Sequence, residues 1–280
     1  MSEVVAAGPL ASGKGSEQEN FPVAQLFAPR FRMPVKAFYR FARTGDDIAD
    51  HPTAPAQEKL ARLEAMRATL AGESDTDAPA LALRQICAER GITRQHGLDL
   101  LIAFTRDVTK MRYASWDELI DYCRVSAMPV GRFVLDVHGE DRALWPANDA
   151  LCAALQIVNH LQDCAKDRAN LDRVYLPADV LAAHGASIAD LDAPVATPSL
   201  RAAIVDLAGR TGVLLAQARP FARAIRDTRL GIEVAIIQRL AHSLNHRLQT
   251  RDPLSQRVHH GKAEMLALAL PAAIGRLLAR

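Results

Sequence analysis

The sequence predicts an all-α fold, and three observations carry that reading. From Pro34 onward apolar residues recur at spacings of three and four, β-branched alternation is almost absent, and the helix formers Ala, Leu and Arg are abundant. With 280 residues, 49% of them hydrophobic, the chain can bury a substantial core. No internal break is long enough, or different enough in composition, to mark a domain boundary. The expectation is therefore a single helical domain over residues 19–280.

Residues 1–18, "MSEVVAAGPLASGKGSEQ", are small, polar and Gly-rich and offer too little apolar surface to offset the entropy of ordering, so they read as a mobile tail. Gly8 followed by Gly13 and Lys14 imitates a phosphate-binding loop, but Gly15 stands where such a loop needs Ser or Thr, and no strand precedes it. The first helix is expected from Pro34, a residue suited to a first turn, through Asp50. Gly, Pro and capping residues then punctuate the chain at 51–55, 72–79, 89–93, 113–116, 138–141, 173–177, 192–198 and 250–253. About eight helices are expected between these breaks. Pro129 lies inside a helical run and is expected to kink it.

Composition excludes several classes. A net charge of +2 with scattered basic residues argues against a nucleic-acid surface. Cys87, Cys123, Cys152 and Cys164 are singletons, which suits reduced thiols in a cytoplasmic protein better than disulfides or a zinc ribbon. No apolar run approaches the roughly 20 residues that span a bilayer, and the first residues lack the pattern of a signal peptide, so any membrane contact is expected to be peripheral.

The chemistry concentrates in two acidic stretches. In "YRFARTGDDIAD", with Tyr39 set at zero and about 100° per residue, Lys36, Arg43, Asp46, Asp47 and Asp50 share one stripe, with Phe38, Phe41, Ala42, Ile48 and Ala49 outside it. Asp46 and Asp50 lie one turn apart, and at an effective dielectric near 20 their repulsion is on the order of 3 kcal/mol. A raised carboxyl pKa, pairing with Arg40 and Arg43, or a divalent cation would each offset it. "ALQIVNHLQDCAKDRANLDRVYLP" holds a second pair, Asp163 and Asp167, on a stripe shared with Gln156, Asn159 and His160 and edged by Lys166. One such pair is a weak signal; two on apolar helices are far more specific. Oxygen donors from Asp and Asn suit magnesium, which commonly shares its coordination with a phosphorylated substrate. Two facing acidic helices could thus bridge a diphosphate above a central apolar cavity, an arrangement fitted to departure of diphosphate from carbon, with Arg43, Lys166 or Arg173 completing the neutralisation.

"FYRFARTGDDIAD", "YCRVSAMPVGR" and "NHLQDCAKDRANLDRVYLP" together resemble the squalene and phytoene synthases, prenyl-coupling enzymes with the all-α isoprenoid synthase fold. The resemblance spans roughly residues 19–270. It implies metal-site roles for Asp46, Asp50, Asn159, Asp163 and Asp167, and diphosphate-binding or cleft-closing roles for Tyr39, Arg43, Arg173 and Tyr175. "ENFPVA", with Asn20 and Phe21, and "NHLQD" resemble most the branch of bacterial hopanoid biosynthesis that hydrates presqualene diphosphate to hydroxysqualene, with Mg2+ and no nicotinamide. Arg124, His160 and Gln162 depart from the wider family pattern, which weakens the alternative of coupling two prenyl diphosphates. A non-catalytic isoprenoid-binding protein is the alternative from another class. Asn159, His160 or Gln162 is expected to position the water that ends the reaction, the alternative for His160 and Gln162 being simple packing and hydrogen bonding between helices; Tyr39 is counted with them as catalytic. The resemblance also implies an isoprenoid diphosphate substrate, transient contact with the inner face of the membrane, and coupling to neighbouring enzymes of squalene and hopanoid synthesis. His242 and His246 have a zinc-compatible spacing, but Ser243 replaces the Glu of a zinc protease and packing is the expected role.

Overall fold

The computed structural model describes residues 27–278. Asn20, Phe21 and the expected 1–18 tail lie outside the described residues. Thirteen α-helices follow one another within it: α1 (Pro29–Ala49), α2 (Ala56–Ala71), α3 (Ala78–Arg90), α4 (Gln95–Thr109), α5 (Trp116–Ser126), α6 (Met128–His138), α7 (Trp145–Gln162), α8 (Cys164–Leu171), α9 (Ala178–Ala183), α10 (Pro198–Gln217), α11 (Phe221–Ala224), α12 (Thr228–Thr250) and α13 (Lys262–Leu278). No strand occurs among the described residues, where a single bridge joins Arg112 and Val174. The all-α reading holds.

Three expected boundaries move. The first helix begins at Pro29, with Pro34 inside it, because Pro29 already supplies the pre-set φ of a first turn and Pro34 only forgoes one hydrogen bond. Pro129 does not kink a continuous helix; α5 stops, Ala127 forms the joint, and Pro129 sits in the first turn of α6, where a missing N–H costs least. The second acidic stretch is likewise two helices, α7 and α8, meeting at Asp163 (φ −102°, ψ 10°). These joints are why there are more helices than the punctuation suggests.

Two apolar clusters build the core. One joins α1 to α4 and α6 through residues such as Phe38, Phe41, Leu63, Met66, Leu100 and Phe133. The other gathers Tyr113, Tyr122, Ile157, Leu161, Tyr175 and Ile204 from α5, α7, α10 and the chain after α4 and after α8. Full burial of one side chain of the size of Phe41 contributes about 1.5–3 kcal/mol. The clusters meet along α4 and α7, and both helices also line a cavity.

Two glycines set how closely the walls approach. A Cβ at Gly45 would stand 2.5 Å from the Phe104 ring, so the acidic helix α1 can seat against α4 only with Gly there. A Cβ at Gly131 would meet Asn148 Oδ1 at 2.0 Å and Cys152 Sγ at 2.7 Å, which fixes α6 against α7 in the same way. The glycine that interrupts the acid-rich motif is therefore a packing requirement of the site wall.

Candidate active site

A cavity of about 540 Å3 is lined by both acidic stretches. Its apolar wall comes from Val35, Phe38, Ala42, Leu100, Phe104, Val130 and Val134, and its polar wall from Tyr39, Arg43, Asp46, Gln156, Asn159 and Asp163, with Asp107 and Tyr122 beside them. Such a lining offers apolar surface to a hydrocarbon and polar groups to a charged one.

On α1, Arg43 links the two acidic positions nearest it: Nη1 lies 3.2 Å from Asp46 Oδ2 and Nη2 lies 2.8 Å from Asp47 Oδ1. Asp50 faces the opposite stretch and accepts a hydrogen bond from Arg173 Nη1 at 3.0 Å. That contact, between residues 123 apart in sequence, ties the first acidic helix to the segment after the second.

Arg173 reaches this place through a turn in the left-handed region. Asp172 ends α8 at φ 50°, a conformation that Asp tolerates better than most residues. Its carboxylate is gripped by Arg112 and Arg168, and its carbonyl accepts from Arg112. Val174 N then donates to Met111 O at 3.0 Å, fastening the segment to the chain after α4. Arg173, 5% exposed, thus points inward, donating also to Tyr175 Oη at 3.2 Å and to the Asp107 carbonyl at 2.8 Å.

Asp107 is the centre of this network and is the residue that the sequence motifs miss. Tyr122 Oη lies 2.9 Å from each of its carboxylate oxygens, and Tyr175 Oη donates to Oδ1 at 3.1 Å. Burial raises its pKa to about 7, opposed by the nearby Arg173 charge and the tyrosine hydrogen bonds. Asp107 also lines a second cavity of about 350 Å3, together with His51, Lys59 and Arg173, so it stands in the wall between the two. The available signal was its position: Leu100, Phe104 and Asp107 continue one core-facing stripe of α4, where a carboxylate is out of place.

The other expected site residues within 27–278 are placed as follows. Asn159 and Asp163 line the principal cavity with Asp46. Asp167, one turn on in α8, has its carboxyl pushed up to about 7, first by burial and then by the adjoining Asp163 charge, with Asp50 adding to it. Lys166 is exposed. His160 is buried and does not line the cavity; its ring stacks on Tyr175 with centroids 3.5 Å apart, and its Nε2 lies 3.1 Å from Nε2 of the cavity-lining Gln156. Burial, and secondarily the Arg173 charge, lowers its pKa to about 3, so the imidazole is neutral. Gln162 is also buried outside the cavity lining, and neither end of its amide has a hydrogen-bond partner among the described residues. His259, not singled out by any motif, comes to 3.9 Å from Asp163 Oδ1 as the chain after α12 folds back.

The donor set fits a divalent cation. Asp46, Asn159 and Asp163 line one cavity, and Asp163 and Asp50 lie near enough to Asp167 to disfavour its ionisation, a repulsion that a cation would relieve. Among the described residues no three His, Cys, Asp or Glu side chains already surround one ion position. Magnesium does not require such a cage, since it characteristically takes one or two carboxylates and completes its shell with water and substrate phosphate.

A sequence model described as squalene/phytoene synthase matches residues 14–264. The chain belongs to the squalene/phytoene synthase family. It is an enzyme of that family, whose members process prenyl diphosphates, and its all-α bundle around an apolar cavity is the isoprenoid synthase fold. Among its relatives, a hydroxysqualene synthase of Zymomonas mobilis is 55% identical over 97% of this chain and 92% of that protein. A hydroxysqualene synthase of Rhodopseudomonas palustris is 51% identical over 99% of this chain and 95% of that one. The crystal structure of squalene synthase HpnC from Alicyclobacillus acidocaldarius superposes with a TM-score of 0.69 at 31% identity, covering 80% of this chain and 87% of that one. Within the family, the two acidic stretches are the natural place to seek the diphosphate end of a substrate.

Proposed function

We propose that this enzyme converts presqualene diphosphate and water to hydroxysqualene and diphosphate. The observation that carries the reading is a cavity lined both by apolar Phe38, Leu100, Phe104 and Val130 and by polar Asp46, Asn159 and Asp163 from the two acidic stretches. High identity to hydroxysqualene synthases along nearly the whole chain supports the same reaction.

Magnesium, held by Asp46, Asp50, Asn159, Asp163 and Asp167, would supply the positive charge that lets the diphosphate leave. The chain's own residues do the remainder. Arg43 and Arg173, with Lys166 and the phenols of Tyr39 and Tyr175, are assigned to the diphosphate, and the Arg173–Asp50 ion pair holds the two acidic stretches at a set distance across the cleft. Ionisation breaks the carbon–oxygen bond to diphosphate, and both electrons leave with the oxygen. The apolar wall keeps bulk water from the resulting cation until one held water adds its oxygen to carbon and gives up a proton to solvent or to the departing diphosphate. Asn159 and Gln156 stand at the cavity surface where that water would sit, and neutral His160 holds Gln156 from behind. Asn20 and Phe21 belong to the proposed substrate-binding set through the sequence resemblance. No nicotinamide is assigned, because the reaction transfers no hydride. We further place the enzyme in the cytoplasm, working beside other enzymes of squalene and hopanoid synthesis. No helix among the described residues is long and apolar enough to cross a membrane.

Purified enzyme supplied with presqualene diphosphate and magnesium, without reductant, is expected to form hydroxysqualene. Asp46→Asn and Asp163→Asn are each expected to abolish turnover while leaving the helical spectrum unchanged. Appearance of squalene only, or turnover of two farnesyl diphosphates alone, would move the enzyme to another branch of the family.

A further inference from the structure

Helix α13 turns an apolar stripe outward. Leu266, Leu270, Ile274 and Leu277 recur at spacings of four, four and three and are 49–61% exposed, and the adjoining Leu278 is 81% exposed. The helix is nevertheless docked firmly. From its other side the buried Arg276 donates to the carbonyls of Ala222 at 2.8 Å and Ile225 at 2.9 Å, passing so close to Gly231 that a Cβ there would stand 2.8 Å from its Nε. The exposed stripe is thus a defined surface.

Beside it, a groove of about 280 Å3 runs between α13 and the α11–α12 segment. Arg219, Arg223, Arg239, His242 and Arg276 line it, and among the described residues no carboxylate does. Arg219, Arg223 and Arg239 are exposed, and none forms an ion pair among the described residues. Three guanidinium groups gathered without a counter-charge repel one another and attract anions. An apolar stripe flanked by such a cluster has the chemistry of an interfacial helix, in which Leu and Ile enter the acyl boundary while Arg meets lipid phosphates. A second copy of the chain is a poor occupant, since a two-fold contact would set each arginine cluster near its own image.

We propose that α13 and the adjoining arginine groove form a docking surface for an anionic phospholipid bilayer. Leu266, Leu270, Ile274 and Leu277 enter the acyl boundary, and Arg219, Arg223 and Arg239 contact the phosphates. The inference draws its purpose from the proposed function, because a hydrocarbon product partitions into lipid, but its evidence is confined to this surface. Binding without turnover therefore tests it separately.

The experiment is sedimentation of the full chain with vesicles of neutral phosphatidylcholine alone and with about one-third phosphatidylglycerol. Binding is expected to be at least tenfold tighter to the anionic vesicles and to weaken as salt is raised. The triple variant Arg219→Ala/Arg223→Ala/Arg239→Ala is expected to lose affinity for them on the order of a hundredfold, at about fivefold per arginine. Leu270→Glu/Ile274→Glu is expected to abolish binding with the helical spectrum unchanged, and both variants retain turnover of detergent-dispersed substrate. Equal binding of wild type and both variants would overturn the proposal, as would no binding to either vesicle. A dimer that Leu270→Glu/Ile274→Glu dissociates, with no vesicle binding by the wild type, would assign the face to a second copy instead. Loss of turnover by the wild type on presqualene diphosphate, with vesicle binding intact, would refute the proposed reaction and leave the surface standing.

Discussion

Raising the pH through neutrality should tighten magnesium binding, and Asp167 provides the magnitude. Its carboxyl is held near pH 7 by burial and by Asp163 and Asp50. A metal ligand must be deprotonated, so the cation competes with a proton at this site. With a pKa of about 7, roughly one-tenth of the Asp167 carboxyls are ionised at pH 6 and roughly nine-tenths at pH 8, which makes the apparent affinity about tenfold greater at the higher pH. Calorimetric titration of the full chain with magnesium at pH 6, 7 and 8, in two buffers of different ionisation enthalpy, measures the affinity and the proton released together. Close to half a proton should leave Asp167 per ion bound at pH 7. Asp167→Asn should weaken binding and remove most of both the pH dependence and the proton release. Equal affinity at pH 6 and pH 8 in the wild type, with no proton released, would refute the reasoning.

Three further outcomes follow from the same geometry. Arg173→Met should destabilise the protein by about 3–5 kcal/mol in urea unfolding, because it leaves Asp50 and Asp107 partly or wholly buried without their shared guanidinium; a loss under 1 kcal/mol would mean the network is loose. Gly45→Ala should cost about 1–3 kcal/mol through collision with the Phe104 ring, and Phe104→Leu should recover part of the loss in a double-mutant cycle. Asp107→Asn should gain on the wild type as pH rises from 5 to 8. The folded pKa of Asp107 lies above its unfolded value, so the native state holds the extra proton and wild-type stability from this group falls until about pH 7. The gap between the two unfolding curves should change by on the order of 2 kcal/mol, and parallel curves would contradict the burial assigned to Asp107.

Where a signal is local and periodic, the chain was readable before its structure. Helical spacing predicted the fold class, and the acidic pairs predicted which faces meet, since each pair is surrounded by apolar positions that must turn inward. The joints were hidden for physical reasons. Neither Gly nor Pro stands at 163, so nothing in the residue types announced that α7 would stop there. Pro34 resembled a helix start because the same fixed φ serves a first turn and tolerates an interior one. The stripe across 156–167 assumes one rigid helix; Gln156, Asn159 and Asp163 line the cavity, but His160, at the edge of that stripe, is buried behind the lining. Asp107 was concealed because its partners come from residues 122, 173 and 175, a constellation that exists only once α4, α5 and the turn after α8 are in place.

The joint at Asp163 bears on which ions the site can accept. In one straight helix, Asn159, Asp163 and Asp167 would be spaced by the fixed rise of the backbone, and only an ion of matching radius would satisfy them together. Here Asn159 belongs to one rod, Asp167 to another, and Asp163 is the knuckle between them. A few degrees of bend there would alter the gap between the outer two proposed ligands without breaking a turn of either helix. With the proposed ligands divided in this way, the acidic motif would act as an adjustable calliper, and manganese, slightly larger than magnesium, should be accommodated by flexing the knuckle rather than by unwinding the site.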